Sequence, residues 1–163
     1  MEIISILILL SYIIIMCCKV KGIPNSISAT YYILEHKLWF GFTIISTAIL
    51  LMIALLNIVP ASIQFLAFLS GAGMMFVGAA PNFKEDLEGK VHTGGAITCI
   101  VCSQVLIGLV NLSILITWMG FVMFAVIYTL LSTSSLKERF LKSKPLFWVE
   151  IIALLNVYLL IYL

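Results

Sequence analysis

LWFGFTIISTAILLMIALLNIVPASIQFLAFLSGAGMMFVGAA, residues 38–80, is a run of 43 residues without one charged side chain. As a single helix it would reach about 65 Å at 1.5 Å per residue, roughly twice the ~30 Å of hydrocarbon in a bilayer. It therefore reads as two crossings, Leu38 to Val59 and Ala61 to Ala80, folded back on each other at Pro60. Working outward, four more apolar runs follow the same logic: Ile3 to Cys18, His92 to Val110, Leu112 to Leu131 and Leu146 to Leu163. These six runs, 16 to 22 residues each, take up most of the 163-residue chain. The first is marginal in length and the others are adequate.

Composition agrees. Hydrophobic residues make up 63% of the chain and charged residues 10%, and the mean hydropathy of +1.23 lies far beyond that of a soluble domain. Helices satisfy their own backbone in lipid, and nothing alternates with the period of two that a barrel needs. The predicted fold is an all-α polytopic membrane bundle of six transmembrane helices, one integral membrane domain over residues 1–163. There is no internal repeat, low-complexity tract or long linker. The amino terminus lacks the basic region and small-residue cleavage site of a signal peptide, so the first span reads as retained.

All nine Lys and Arg residues fall in three alternate gaps between the runs: Lys19, Lys21 and Lys37; Lys84 and Lys90; Lys137, Arg139, Lys142 and Lys144. The turns at Pro60 and at Asn111 to Ser113 carry none. By the positive-inside rule the three long connections are cytoplasmic and both termini lie outside. Trp39 and Trp148 then fall at the inner interface and Trp118 toward the outer half, as an aromatic belt predicts. Between Ser132 and Pro145, Ser135-Leu136-Lys137-Glu138 fits a capping box, and a short interfacial helix is expected there. Abundant Ile, Leu and Lys with little Arg suggest an AT-rich bacterial or phage source, hence a bacterial cytoplasmic membrane.

Polar residues gather at the inner ends of the spans. Ser26, Ser28, Glu35 and His36 lie in the first long loop, Glu85, Asp86 and Glu88 in the second, and His92 opens the fourth span. Glu150 sits about 6 Å into the last span at helical rise, where a carboxyl usually marks a partner or a pathway. By depth, Lys144, Lys37 and His92 are its candidate partners. Ser28 reads as a helix cap for the stretch through Tyr31 and Tyr32, or as a ligand contact. No metal site is expected: the two histidines and the acids lack the spacing of any recognised ligand set. Ser28 lacks a glycine-flanked nucleophile turn. Cys99-Ile100-Val101-Cys102 has redox spacing but lies inside an apolar helix with no cation beside it, so it reads as packing, and Cys17-Cys18 likewise shows no site. Ala67, Gly71 and Gly78 in the third span, and Gly94, Gly95 and Gly108 in the fourth, read as close-packing faces; Gln104 and Asn156 read as interhelical hydrogen-bonding groups.

Two segments carry a resemblance. Pro24-Asn25-Ser26-Ile27-Ser28, followed by Glu35 and Phe40, and Asn82-Phe83-Lys84-Glu85, followed by Val91-His92 and Gly95-Ala96, are similar to the patterns that precede the second and fourth spans of the DRAM, Frag and Sfk superfamily. Span count and motif order are similar too. The match covers about a quarter of the chain. Ala29 stands where the family tends to have an acid and Leu34 where a proline often precedes the glutamate, which argues against carrying over a catalytic role. The resemblance implies a six-span membrane protein tied to lipid remodelling, lipid asymmetry or membrane trafficking. It also implies polar loops facing outward or the lumen, opposite to what the lysines argue.

These readings predict a non-enzymatic protein binding a lipid headgroup, or a partner helix, in a polar pocket formed by His92, Glu35, Ser28 and Glu150. In that pocket His92 donates to a phosphate or pairs with Glu35. The expected partners are membrane lipids, with a protein partner or a second copy as the other candidates; no cofactor and no nucleic acid are expected. The competing class is an intramembrane lipid-modifying enzyme with His92 as general base, which requires a nucleophile or metal beside the ring. A small transporter or channel is disfavoured because the bundle middle carries no charge.

Overall fold

The structure, a computed structural model, describes residues 2–131 and 143–163. Among the described residues the regular structure is entirely helical. The α-helices are α1 (Glu2–Val20), α2 (Leu38–Ile58), α3 (Gln64–Ala79), α4 (Asp86–Val110), α5 (Ile116–Leu131) and α6 (Pro145–Tyr162), with 3₁₀ turns at Ser28–Tyr32, Ala61–Ile63 and Leu112–Leu115. Five of them, counting α3 with its leading 3₁₀ turn, are long and apolar enough to cross a membrane. The chain is a helical integral membrane protein.

The boundaries correct the sequence reading in two places. The first helix has 19 residues and is adequate, whereas α5 has 16 and rises only about 24 Å, because its first turn is the 3₁₀ segment from Leu112. The fourth helix begins at Asp86, six residues ahead of His92, and places Asp86 and Glu88 in the first turn, where negative charge complements the helix dipole. The interfacial helix expected around Ser135, together with Lys137, Arg139 and Lys142, lies outside the described residues.

Each tight connection has a local cause. Val59 is extended, as a residue before proline must be, and Pro60 stops α2. The Gln64 amide then reaches back to donate to the Leu56 carbonyl at 2.8 Å, satisfying an end of α2 that would otherwise be bare in an apolar medium. At the next hairpin the Asn111 side chain accepts from the Ser113 amide at 3.2 Å and its hydroxyl at 2.6 Å, which starts the 3₁₀ turn. α1 closes with Gly22 N donating to Cys17 O and Lys21 N to Cys18 O, a Schellman motif with Lys21 at φ 53° in the left-handed position.

Packing is tightest around α3, which lies between α2 and α4. A Cβ added at Gly73 would come 2.6 Å from Gly95 O, and one at Gly95 would come 2.7 Å from Gly73 O, so the α3 and α4 backbones touch there. On the other side of α3, a Cβ at Gly41 of α2 would lie 3.0 Å from Gly78 O. Ser70 follows the α3–α4 seam and donates to Cys99 O at 3.1 Å. The small-residue faces differ in detail from those expected: Gly73 and Gly41 make crossings that the sequence reading missed, and Gly94 meets nothing within 4 Å.

Two apolar clusters form the core. One, near the loop-bearing end, holds Met16, Phe40, Ile44, Met74 and Phe147; the other, toward the termini, holds Leu51, Leu66, Leu106, Ile107 and Leu160. The outer surface is also apolar, with Phe42, Phe65, Phe68, Phe76, Met119, Met123 and Leu130 exposed, as expected of a surface that meets lipid. The Ser5 and Tyr158 hydroxyls lie 2.7 Å apart, which puts the start of α1 beside the end of α6 and both termini on one face. The first two long connections, which meet where the Tyr32 hydroxyl donates to Asn82, share the opposite face.

A polar network crosses the bundle between α4, α5 and α6. Gln104 Oε1 accepts from Trp118 Nε1 and Asn156 Nδ2, both at 2.9 Å. The Gln104 amide nitrogen donates to Ala153 O at 3.2 Å, and Thr117 donates to Asn156 Oδ1 at 2.7 Å. Trp118 is therefore tied into the bundle through its indole nitrogen as well as lying along its surface.

Candidate functional site

The first long connection folds over the bundle end as a cap. Ser26 Oγ accepts from Ala29 N at 2.9 Å and so opens the 3₁₀ turn. This corrects the expectation that Ser28 is the cap. Thr30 donates to the Ile27 carbonyl at 2.5 Å, which leaves its oxygen to accept from the Tyr12 hydroxyl, also at 2.5 Å. Tyr12 thereby pins the cap to α1.

Ser28 is free for another role and turns inward. Its hydroxyl donates to Glu150 Oε1 at 3.0 Å, while the Ile27 amide donates to Glu150 Oε2 and the Ser28 amide faces the same carboxyl group. Residues 122 and 123 positions apart in sequence thus close on each other. One helical stretch earlier, Lys144 donates to Asn25 Oδ1. The segment Asn25 to Ser28 consequently lies along the first turns of α6 and is held at both ends. Among the described residues no cation lies within ion-pair distance of Glu150. The partners expected from depth, Lys144, Lys37 and His92, are engaged elsewhere.

Beneath this clasp is a cavity of about 80 Å³ between α2, α3, α4 and α6. Ile27, Ser28 and Glu150 contribute to its lining; the rest comes from Ile44, Met74, Val77, Ala96, Cys99, Ile100, Ser103, Ala153, Leu154 and Val157. Among the described residues the walls are mostly apolar and contain no aromatic ring. Ser103 Oγ is already engaged, donating to Ile100 O at 3.0 Å and accepting from Gln104.

The remaining predicted residues are dispersed. Glu35 is exposed and accepts from Lys19 Nζ at 2.8 Å, with the Glu35 side chain 79% accessible. That hydrogen bond and the lysine charge hold its carboxyl below the ordinary carboxylate range. His92 is buried, and because a carbonyl only accepts, its Nδ1 donates to Ala80 O at 3.0 Å and caps the end of α3. Its ring packs on Phe83 at 5.0 Å. Ser28 and Glu150 are brought together; His92 and Glu35 have other partners.

The segments around Tyr32 and Asn82 also meet, through residues to which the sequence reading gave no site role. The Tyr32 hydroxyl donates to Asn82 Oδ1 at 3.2 Å and accepts from Lys84 N at 2.9 Å. Edge-on ring contacts run Tyr12, Phe40, Tyr31, Tyr32 and Phe83, and the Phe83 ring meets His92 at a tilt of 41°. Lys84 Nζ sits 4.3 Å over the Tyr32 ring and Lys37 Nζ 5.0 Å over Tyr31, a cation–π arrangement that leaves both ammonium groups at the bundle end. The signal was the pair Tyr31-Tyr32, whose amphipathic rings suit a membrane interface. No family model, curated protein or solved structure matches this chain.

Proposed function

We propose that this is a six-span membrane protein that binds a lipid headgroup at its loop-bearing face, with that face in the cytoplasm. α5 completes the sixth crossing with its leading 3₁₀ turn. The observation that carries the reading is the clasp: a carboxyl group within the membrane-spanning part of α6, held among the described residues by neutral donors of the cap, at the end of an apolar cavity. Lys37, Lys84 and Lys144 surround the same end and supply charge for a phosphate. The resemblance to a superfamily tied to lipid remodelling points the same way. The His92 base reading gains nothing from the geometry, since one ring nitrogen is committed to Ala80 O and one face to Phe83.

Native mass spectrometry of the protein from lipid nanodiscs tests this. A lipid adduct should survive activation in the wild type and be lost when Ser28→Ala and Glu150→Gln open the clasp. Absence of any retained lipid in the wild type, or equal retention in both proteins, would overturn the proposal.

A further inference from the structure

Resting on that lipid-binding reading, we infer that the group this cavity takes is a primary ammonium on a short apolar stem, supplied in a bilayer by the ethanolamine headgroup of a phospholipid. Among the described residues the donors around Glu150 are two amides and a hydroxyl, none of which carries a full charge. A carboxylate removed from water is costly unless a cation is also present. Among the described residues that cation is not supplied by the protein. A ligand ammonium, with three N–H donors, would complete the pair and use the lone pairs that the cap leaves open.

Size and lining select the kind of cation. A volume of about 80 Å³ exceeds what one water needs, roughly 10–15 Å³ by a comparable measure, and is about half of the ~150 Å³ known to take a benzene ring. An aminoethyl group, three heavy atoms, fits that space among Met74, Ala96, Cys99 and Leu154. A quaternary ammonium is recognised by aromatic faces, and this lining has none. Lys144 lies six residues before Glu150, about 9 Å along the helix axis, and both are bonded to the stretch Asn25 to Ser28. A phosphate on the lysine side and an ammonium at Glu150 reproduce the order of groups in phosphoethanolamine.

The test uses the full chain in nanodiscs containing equal amounts of ethanolamine, choline and glycerol phospholipids, read by native mass spectrometry. The expected result is at least tenfold preference for the ethanolamine lipid over the choline lipid, falling below twofold in Glu150→Gln. A cavity-filling variant, Ala96→Leu, keeps the carboxyl group and should lose the preference as well, so a misfolded Glu150→Gln protein would not leave the question open. In detergent, ethylammonium chloride should raise the melting temperature while choline chloride does not; if it does so without any ethanolamine-lipid preference in nanodiscs, the source is a free amine rather than a headgroup. Equal retention of choline and ethanolamine lipids, without an effect of ethylammonium, overturns the inference. Retention of the glycerol lipid independent of Glu150 would sink the ammonium assignment and leave lipid binding standing; no retained lipid at all would sink both.

Discussion

Gly73 and Gly95 allow two membrane helices to touch backbone to backbone, and a single methyl group decides whether they can. In Gly95→Ala the new Cβ would meet the Gly73 carbonyl at 2.7 Å, a contact that must push α3 and α4 apart. Overpacking of this kind costs about 1–3 kcal/mol, read as a loss in denaturant unfolding in detergent. Gly94→Ala is the neighbouring control: with nothing within 4 Å, it should show no loss. At the loop face, Glu35 gives a pH prediction. Its carboxyl is held below the ordinary range by the Lys19 hydrogen bond, so the stabilisation it gives is fully present above the unfolded value of roughly 4.3 and fades as pH falls through the lower folded value. The pair is exposed, so the effect is small and screened by salt. Melting curves of wild type and Glu35→Gln should differ by a constant small amount from pH 5 to 8 and converge in stronger acid; convergence near neutral pH would contradict the assignment.

Among the elements, α5 is the one held least by apolar burial. Met119, Val122, Met123, Phe124, Val126 and Ile127 are all exposed, and its visible ties inward are Thr117 to Asn156 and Trp118 to Gln104. In lipid there is no hydrophobic gain from joining an apolar helix to the bundle, so hydrogen bonds and close packing must hold it. Asn156→Ala removes one partner each from Thr117 and Gln104 and should cost about 1–3 kcal/mol, because unmatched polar groups remain in an apolar interior. Hydrogen exchange should speed up in α5 and the turn before it while α2 and α3 keep their protection. Uniform loosening of all helices would show that the network supports the bundle as a whole. The existence of these helices was legible from apolar length. The start of α4 was not, because Asp86 to Val91 is polar enough to read as loop until the helix dipole and the packing of His92 under α3 are taken into account.

At the scale of the whole molecule, the first two long connections and the termini occupy opposite ends, and the orientation proposed above from the lysines puts those connections in the cytoplasm. Cysteines introduced at Lys84 should stay unlabelled by an impermeant reagent added to intact cells and react once the membrane is opened. Reporter tags on the two termini should give the same sidedness as each other, since Ser5 and Tyr158 touch. Labelling of Lys84→Cys from outside would reverse the orientation. It would leave the clasp and the cavity unchanged, because those depend on the packing of loop against bundle and not on which compartment the loop faces.

By itself the sequence determined the membrane environment, the helical class and the alternation of charged and uncharged connections. These follow from local composition, because a run of apolar residues long enough to cross a bilayer has few other stable arrangements. It also marked Ser28 and Glu150 as unusual, each from its own surroundings. Only the tertiary structure decided that these two meet, that Glu35 belongs to Lys19, and that His92 serves the end of α3. Those pairings join residues on different elements, and which side chains meet is fixed by how the helices cross. The crossings in turn depend on where backbones can touch, at Gly41 with Gly78 and at Gly73 with Gly95, a matter of shape in three dimensions that no spacing along the chain encodes.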